Sequence, residues 1–395
     1  IKTTRNNSCS LSNNCCFKGT YSHPKFYPLR YLGYNKNMKF NILMIKQVIL
    51  ILPLIMITAC ARIGPDIIQA SGNDYNVAIQ RTIDEQLLLN LIRLKYHDTP
   101  FFLEVNSVSS QFKLNTETGL STTFKKQETP ESVGLTGKLS FTEQPTVTYL
   151  PLHGNDFIQR LLKPISVDTI LLLANSGWSI ERIFRLIVDD INGIPNAPNA
   201  GGPTPTNVPD FKEFQSIANL FRELQNKNTI NFVYDNNKNT SIIFNDDDQT
   251  VNLLRKKLKL DKYKKYKLIN GKGIARENND SIILSTRSFL GVMYYLSHSV
   301  DVPDKDKISG KVTITYDKSG NEFDWSELTN NLFKIKSGLN NSNIAISTNY
   351  RNTWFYIDDS DLNSKTTFSL LMQLFSLQSG KSEGIAPLLT LPIGQ

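Results

Sequence analysis

The sequence predicts an α+β fold, and three observations carry the prediction. Apolar residues recur at helical spacing in some segments and alternate in others. Helices and hairpins are mixed without the strand–helix–strand rhythm of a parallel sheet. All four cysteines, Cys9, Cys15, Cys16 and Cys60, lie in the first 60 of 395 residues, so the body must fold without disulfides or a Cys-based zinc site. More than 300 residues follow, enough to bury a core unaided. The expected architecture is an N-terminal helix, antiparallel hairpins and a helical cluster, then a mixed α+β C-terminal domain.

Taken in order, residues 61–73 read as a short tether. From 75 to 96, Ala78 or Ile79, Ile83, Leu87, Leu91 and Leu94 repeat at three and four, which predicts an amphipathic helix. Asp74 can cap its start, and Asp98-Thr99-Pro100 ends it. Alternation over 101–114, 119–126, 132–141 and 146–150 predicts strands, with Val133, Leu135, Leu139 and Phe141 on one face of the third. Helices are expected at 154–162, 166–176 and 179–191. Residues 192–209 hold Pro195, Pro198, Pro203, Pro205 and Pro209 with Gly193, Gly201 and Gly202, and read as a loop or an interdomain linker. A helix at 210–226, a hairpin of 230–234 and 241–244 around Asn236-Asn237, and a helix at 249–259 follow. Strands at 265–269 and 281–285 flank Gly271-Lys272-Gly273, read as a hairpin turn. Then come a helix at 288–299, strands at 311–316, 332–336, 344–348 and 353–357, a helix at 362–377 and a strand at 387–391. No internal repeat is present.

The net charge of +8 is unevenly placed. Residues 1–59 carry eight basic residues and no acidic ones, and the remainder is balanced at 36 of each. Nothing global argues for nucleic-acid binding. The chain begins with Ile1, and residues 1–37 read as an upstream or non-native leader, with Met38 or Met44 as the initiator. Lys39 and Lys46, a ten-residue apolar run from Val48 to Ile57, and Thr58-Ala59 before Cys60 make a signal peptide over 38–59. The run is too short for a spanning helix, which needs roughly 18 apolar residues. Two α+β domains, 60–191 and 210–395, are expected on either side of 192–209.

Ile57-Thr58-Ala59-Cys60 resembles the lipobox of bacterial lipoproteins, with Ile57 where Leu is commonest. The resemblance implies cleavage between Ala59 and Cys60 and acylation of the Cys60 thiol, palmitate included. Several acyl chains on one residue suffice for stable anchoring. Ala61, in place of the Asp that favours inner-membrane retention, implies the periplasmic face of the outer membrane. The stretches 72–78, 85–100, 143–151 and 364–371 are similar to a group of proteobacterial envelope lipoproteins, a resemblance that supports the location and supplies no mechanism.

The motifs that carry chemistry are weak. Gly380-Lys381-Ser382-Glu383-Gly384 matches G-x-S-x-G, but a nucleophile elbow needs a strand before it and a helix after, the reverse of the expectation here, and the body's histidines, His97, His153 and His298, all lie upstream. Gly380-Lys381-Ser382 has Phe375 where a phosphate loop needs glycine, and Gly271-Lys272-Gly273 lacks a third glycine. Asp246–Asp248 reads as a solvated turn and Asp361 as a helix N-cap, since neither acidic run continues into a calcium loop. The three histidines show no metal-ligand spacing and read as surface or interface residues, so no metal or cofactor is expected.

Two surfaces stand out. Arg255, Lys256, Lys257, Lys259, Lys262, Lys264, Lys265 and Lys267 put eight cations in thirteen residues with one acid. They read either as a solvated helix face running into a lysine-blunted edge strand, or as a contact for anionic lipid, glycan or an acidic partner. The hairpin within 119–141 is either packed on the core or a strand-pairing surface. The expected function is therefore a non-enzymatic, lipid-anchored structural or adaptor component of an envelope assembly with protein partners. The alternatives are an enzyme acting on peptidoglycan or another envelope glycan, and a binding module for anionic glycan or lipid.

Overall fold

A computed structural model describes residues 63–124, 130–203, 205, 207–234, 239–271, 279–338 and 343–379, with the backbone alone described over 63–71, 106 and most of 109–145. Its helices and strands, in antiparallel and mixed sheets, make an α+β fold. Residues 71–395 form one unit. Helix α1, Ile63–Lys95, starts earlier than expected and takes in most of the segment read as a tether. Gly64 and Pro65 sit in its first turn, where proline's missing N–H has no helical partner to lose. Leu87, Leu88, Leu91, Ile92 and Leu94 are buried on its C-terminal half.

Strands β1, Leu103–Phe124, and β2, Pro130–Pro151, pair antiparallel over their full length, where four shorter strands were expected. Gly119 stays in register opposite Thr136 instead of breaking the ladder, and irregularities occur only at Val105/Ser107 and Thr123/Phe124. The ribbon is a two-stranded sheet with no third strand among the described residues. Three short helices follow: α2, Asn155–Leu162, α3, Val167–Asn175, and α4, Ile180–Ile187. Ser166 and Ser179 cap the latter two by accepting the Thr169 and Arg182 N–H groups.

The helix expected to run to 191 stops at Ile187 and becomes β3, Val188–Ile191. Asn192 and Gly193, with φ of 52° and 83°, make a two-residue turn into β4, Ile194–Pro195. Positive φ at both positions is what a type I′ hairpin requires, and Asn-Gly supplies it at least cost. A 3₁₀ turn follows at Pro198–Gly201, with Asn196, Ala197 and Ala200 fully buried. Residues 192–201 are therefore packed structure, not an interdomain linker, and residues 71–395 form one unit in place of the expected division at 192–209. Proline and glycine here shape turns that are held from elsewhere in the chain.

The main sheet draws strands from both sides of that stretch. After α5, Lys212–Asn226, come β5, Ile230–Tyr234, β6, Thr240–Phe244, α6, Gln249–Leu258, β7, Lys265–Asn270, and β8, Ser281–Thr286. The sheet order is β4-β3-β8-β7-β6-β5. Its neighbours are antiparallel except β7 and β8, which are parallel, so the connection through Gly271 is not the expected hairpin turn. Helix α7, Phe289–Ser297, is capped by Ser288. The chain then runs through α8, Asp304–Ile308, and α9, Ser326–Thr329, to a three-stranded sheet in the order β10-β11-β9. Its strands are β9, Lys336–Gly338, β10, Ile344–Tyr350, and β11, Thr353–Asp358. Residues 311–316 form no strand, contrary to expectation, and contribute only a bridge from Tyr316 to Glu322. The 332–336 strand reduces to β9. Helix α10, Leu362–Ser379, begins with Asp361 accepting the Ser364 N–H, the expected cap. The Asn236-Asn237 turn, Gly273, the 380–384 motif and the 387–391 strand lie outside the described residues.

One buried cation joins these parts. Arg287, at the end of β8 and 4% exposed, donates through Nη1 to the carbonyls of Arg185 at 3.1 Å, Leu186 at 3.0 Å and Val188 at 2.9 Å. Its Nη2 reaches the Asn196 carbonyl, and Tyr295 lies 4.3 Å under its plane. The carbonyls belong to the last turn of α4, the start of β3 and the packed turn after β4. Removing the guanidinium leaves them to share too few donors, at a cost of about 1–3 kcal/mol for each one stranded. Arg287→Met is therefore expected to lower stability by roughly 3 kcal/mol or more in urea unfolding, with Arg287→Lys recovering only part because one ammonium cannot span the set. A loss below about 1 kcal/mol for Arg287→Met would contradict the role.

Candidate functional site

The basic segment was the first candidate, and the structure divides it. Arg255 is buried: its Nε donates to Tyr266 Oη at 2.8 Å and its Nη2 to the Tyr263 carbonyl at 2.7 Å, and it also pairs with Asp247. Tyr266 is itself buried and donates to the Asp261 carbonyl at 2.6 Å, while Tyr263 is half exposed. Lys262 Nζ pairs with Asp247 at 2.6 Å. Asp247 is held below the ordinary carboxylate range by those two cations, and Asp248 caps α6, so the acidic run is more than a solvated turn. Lys256, Lys259, Lys264, Lys265 and Lys267 are exposed, and Lys257 partly so. β7 is an interior strand between β6 and β8, which corrects the edge-strand reading. Along it Tyr266 and Leu268 are buried and Lys265 and Lys267 point from the opposite face. Helix α6 reaches Tyr266 through Arg255, so its own lysines do not share a face with Lys265 and Lys267. The eight cations do not form one surface.

The described residues converge instead on a cleft of about 800 Å³. One wall is the end of α1, with Lys95; another is the chain leaving α7, from His298 to Val302; the third is 322–334. His298 is buried, contrary to the expectation that it lies at a surface or interface. Its ring stacks on Trp325 at 4.0 Å with an interplanar angle of 14°, and Phe323 meets Trp325 edge-on at 5.2 Å. His298 Nε2 lies 3.2 Å from the Ala200 carbonyl, which can only accept, so Nε2 carries the hydrogen. Nδ1 is buried without a hydrogen-bond partner among the described residues. Burial, with the Lys95 charge adding to it, pulls the imidazole down to about 3, and it stays neutral.

Lys95 is the other unusual group. Burial and the nearby Lys307 ammonium lower it to about 8, against a smaller opposing pull from Glu322. Lys307 donates to Glu322 at 2.8 Å, whereas Lys95 makes no hydrogen bond or ion pair among the described residues. Asp324 is held low by the Ser326 hydroxyl and N–H. Next to the cleft, Asp306 is buried and accepts from Tyr96 Oη at 2.8 Å and Lys311 Nζ at 2.7 Å, fixing the end of α1. Sequence reasoning missed this cleft because no local spacing joins residues 95, 298 and 325; only the helix end after Lys95 was legible.

No protein-family model matches the chain, and no curated protein or solved structure matches it either. No cluster of three or more metal-ligating side chains occurs among the described residues. Of the other histidines, His97 lies 2.9 Å from Thr313 Oγ1 and His153 is exposed. Cys60 and Ala59 lie outside the described residues, and no described helix is long and apolar enough to cross a membrane.

Two outcomes follow from these placements. Between pH values of about 6.5 and 3 the unfolded chain binds a proton at residue 298 that the folded chain refuses, so stability falls as pH falls through that window. The loss from this group alone is about 2 kcal/mol between pH 7 and pH 5, and His298→Phe, which keeps an aromatic ring against Trp325, should flatten that slope in urea unfolding. Replacing Lys262, Lys264, Lys265 and Lys267 by Gln should change stability by less than about 1 kcal/mol, because exposed charges contribute little. Arg255→Gln should cost roughly 2–3 kcal/mol, because it removes the buried donor shared by the Tyr266 phenol, the Tyr263 carbonyl and Asp247. Equal effects from the two substitutions would refute the division.

Proposed function

We propose that this protein is an envelope lipoprotein, anchored through Cys60 at the periplasmic face of the outer membrane, that serves as a structural or adaptor component of an envelope assembly. The leader and the lipobox-like Ile57–Cys60 support the anchor. The observation that carries the adaptor role is the β1/β2 ribbon. Its 22-residue strands span roughly 70 Å at the rise of an extended chain. Neither strand pairs with a third among the described residues, so both outer edges offer main-chain donors and acceptors to an added strand.

An isolated two-stranded ribbon is marginally stable in water, and one this long is completed by a partner. The occupant proposed is a strand of another envelope protein, added to one edge. Pairing between ribbons of two copies is the outcome that would replace it. The basic segment does not carry the function in this reading, since its charges are split between two faces.

The test is crosslinking in cells followed by mass spectrometry, using the lipidated protein and a variant in which 107–147 is replaced by a short turn. The parent should crosslink to a distinct envelope protein through residues 103–151, and the shortened variant should lose those crosslinks while staying folded and membrane-bound. Cys60→Ser should release the protein from the membrane and abolish palmitate labelling. Unchanged crosslinks in the shortened variant would refute the ribbon's role, and a membrane-bound, labelled Cys60→Ser variant would refute the anchor.

A further inference from the structure

We infer that the cleft walled by Lys95, His298 and Trp325 binds a small hydroxylated organic anion, a sugar acid or a sugar phosphate, with Lys95 Nζ taking the anionic group. The inference does not depend on the adaptor reading, since it concerns a different part of the molecule. It begins with a mismatch. Lys307 has a carboxylate at 2.8 Å, yet Lys95, on the same cleft and close enough for the two ammonium groups to oppose each other, makes no hydrogen bond or ion pair among the described residues. Lys95 is half-buried on the cleft wall, and a cation partly withdrawn from water without a partner gains nothing from its charge, whereas an apolar side chain of similar length would fill the site at less cost. An anion from outside the chain would supply the missing partner.

The rest of the cleft sets what that anion is attached to. At about 800 Å³ it is much larger than an inorganic ion and falls in the range of small-molecule sites. Asp301, Asp324 and Asn331 line it and can accept or donate to hydroxyl groups. Trp325, braced on one face by the His298 ring at 4.0 Å and on its edge by Phe323, is a fixed aromatic surface beside them. Because His298 stays neutral at physiological pH, it does not compete with Lys95 for the anion. A charged group, several hydroxyls and an apolar ring edge together describe an acidic saccharide better than a fatty acid or a bare phosphate.

The experiment is titration calorimetry on the purified full chain with four probes: glucuronate, glucose 6-phosphate, glucose and inorganic phosphate. Saturable binding of glucuronate, glucose 6-phosphate or both is expected, and which one binds separates a carboxylate from a phosphate source. Glucose and inorganic phosphate should each bind about tenfold more weakly or worse, because each lacks one half of the recognition. Lys95→Met should lose about tenfold or more in affinity while remaining folded and no less stable, since it removes an unpaired, half-buried charge, and Lys95→Arg should retain binding. If Lys95→Met does not fold, the parent alone decides: affinity should fall about tenfold per pH unit above about 8, as Lys95 deprotonates beside Lys307, Glu322 and His298. Absence of binding by both acidic sugars, equal binding of glucose or of inorganic phosphate, full binding by Lys95→Met, or a flat pH profile would each overturn the inference.

Discussion

The guanidinium of Arg287 is the interaction on which the arrangement of this fold depends. It is a buried cation whose direct hydrogen bonds all go to main-chain carbonyls, four in number, drawn from the end of α4, the start of β3 and the turn after β4. The carbonyls at a helix C-terminus carry partial negative charge and lack intrahelical donors, so a cation there answers a need the backbone already has. Asn196 reinforces the cluster by donating to two of the same carbonyls, Arg185 at 3.0 Å and Val188 at 2.6 Å. The consequence is topological. With α4 stopped and β3 redirected at this point, β3 can pair with β8, and the main sheet becomes continuous across the proline-rich stretch.

Two further arginines of α4 extend the same chemistry outward. Arg185 pairs with Glu181 and donates to the carbonyls of Leu328 and Asn330, which brings α9 and its following turn against α4. Arg182 donates to the Asn363 carbonyl and side chain, each at 2.9 Å, at the start of α10. Asn330 and Asn363, one from each segment held in this way, also line the cleft. The irregular chain between α7 and β9 carries little regular structure of its own, so its shape is set by donors from a helix more than 140 residues earlier. Arginine suits that task, because one planar group satisfies several carbonyls and remains charged under all ordinary conditions.

What could be read from the sequence divides along the same line. Local signals were legible: the helix starts at 166, 179 and 288, the Asp361 cap of α10, and the pairing of β5 with β6 all match the structure closely. The α+β class follows from those elements. The proline- and glycine-rich stretch was misread, because composition reports the turns and is silent about Arg287, some 80 residues away, which holds them. The parallel pairing of β7 with β8 and the interior position of β7 were hidden for a related reason: neighbouring strands in sequence usually pair antiparallel. Lysines alternating with buried Tyr266 and Leu268 look the same on an edge strand and on an interior strand with one exposed face. His298 gave no sign of burial, since its partners Ala200 and Trp325 are distant in sequence and neither spacing nor residue type announces a stack.

The end of α1 then connects the two surfaces of interest through a single rigid element. At its near side, Gln86 Oε1 accepts the Leu103 N–H at 2.8 Å, and Asn90 both donates to the Phe101 carbonyl and accepts its N–H, so the base of the ribbon is bonded to the helix barrel. One turn further on, Lys95 lines the cleft and Tyr96 donates to Asp306. Beyond the helix end at Lys95, His97 turns the chain with φ of 62°, and Asp98 pairs with Arg351 at 2.9 Å in the turn joining β10 to β11. Arg351 lies over Tyr96, so the pair closes back onto the helix. These bonds are spaced over fewer than four turns of a helix whose apolar side is buried, and a helix kinks sharply only at proline, Gly/Ser pairs or a bulge, features that 86–95 lacks. The ribbon base, the lysine of the cleft and the three-stranded sheet are therefore fixed relative to one another by the same segment. Its sequence, from Gln86 to Asp98, alternates between residues that fill the core and residues whose polar groups each reach a different part of the chain.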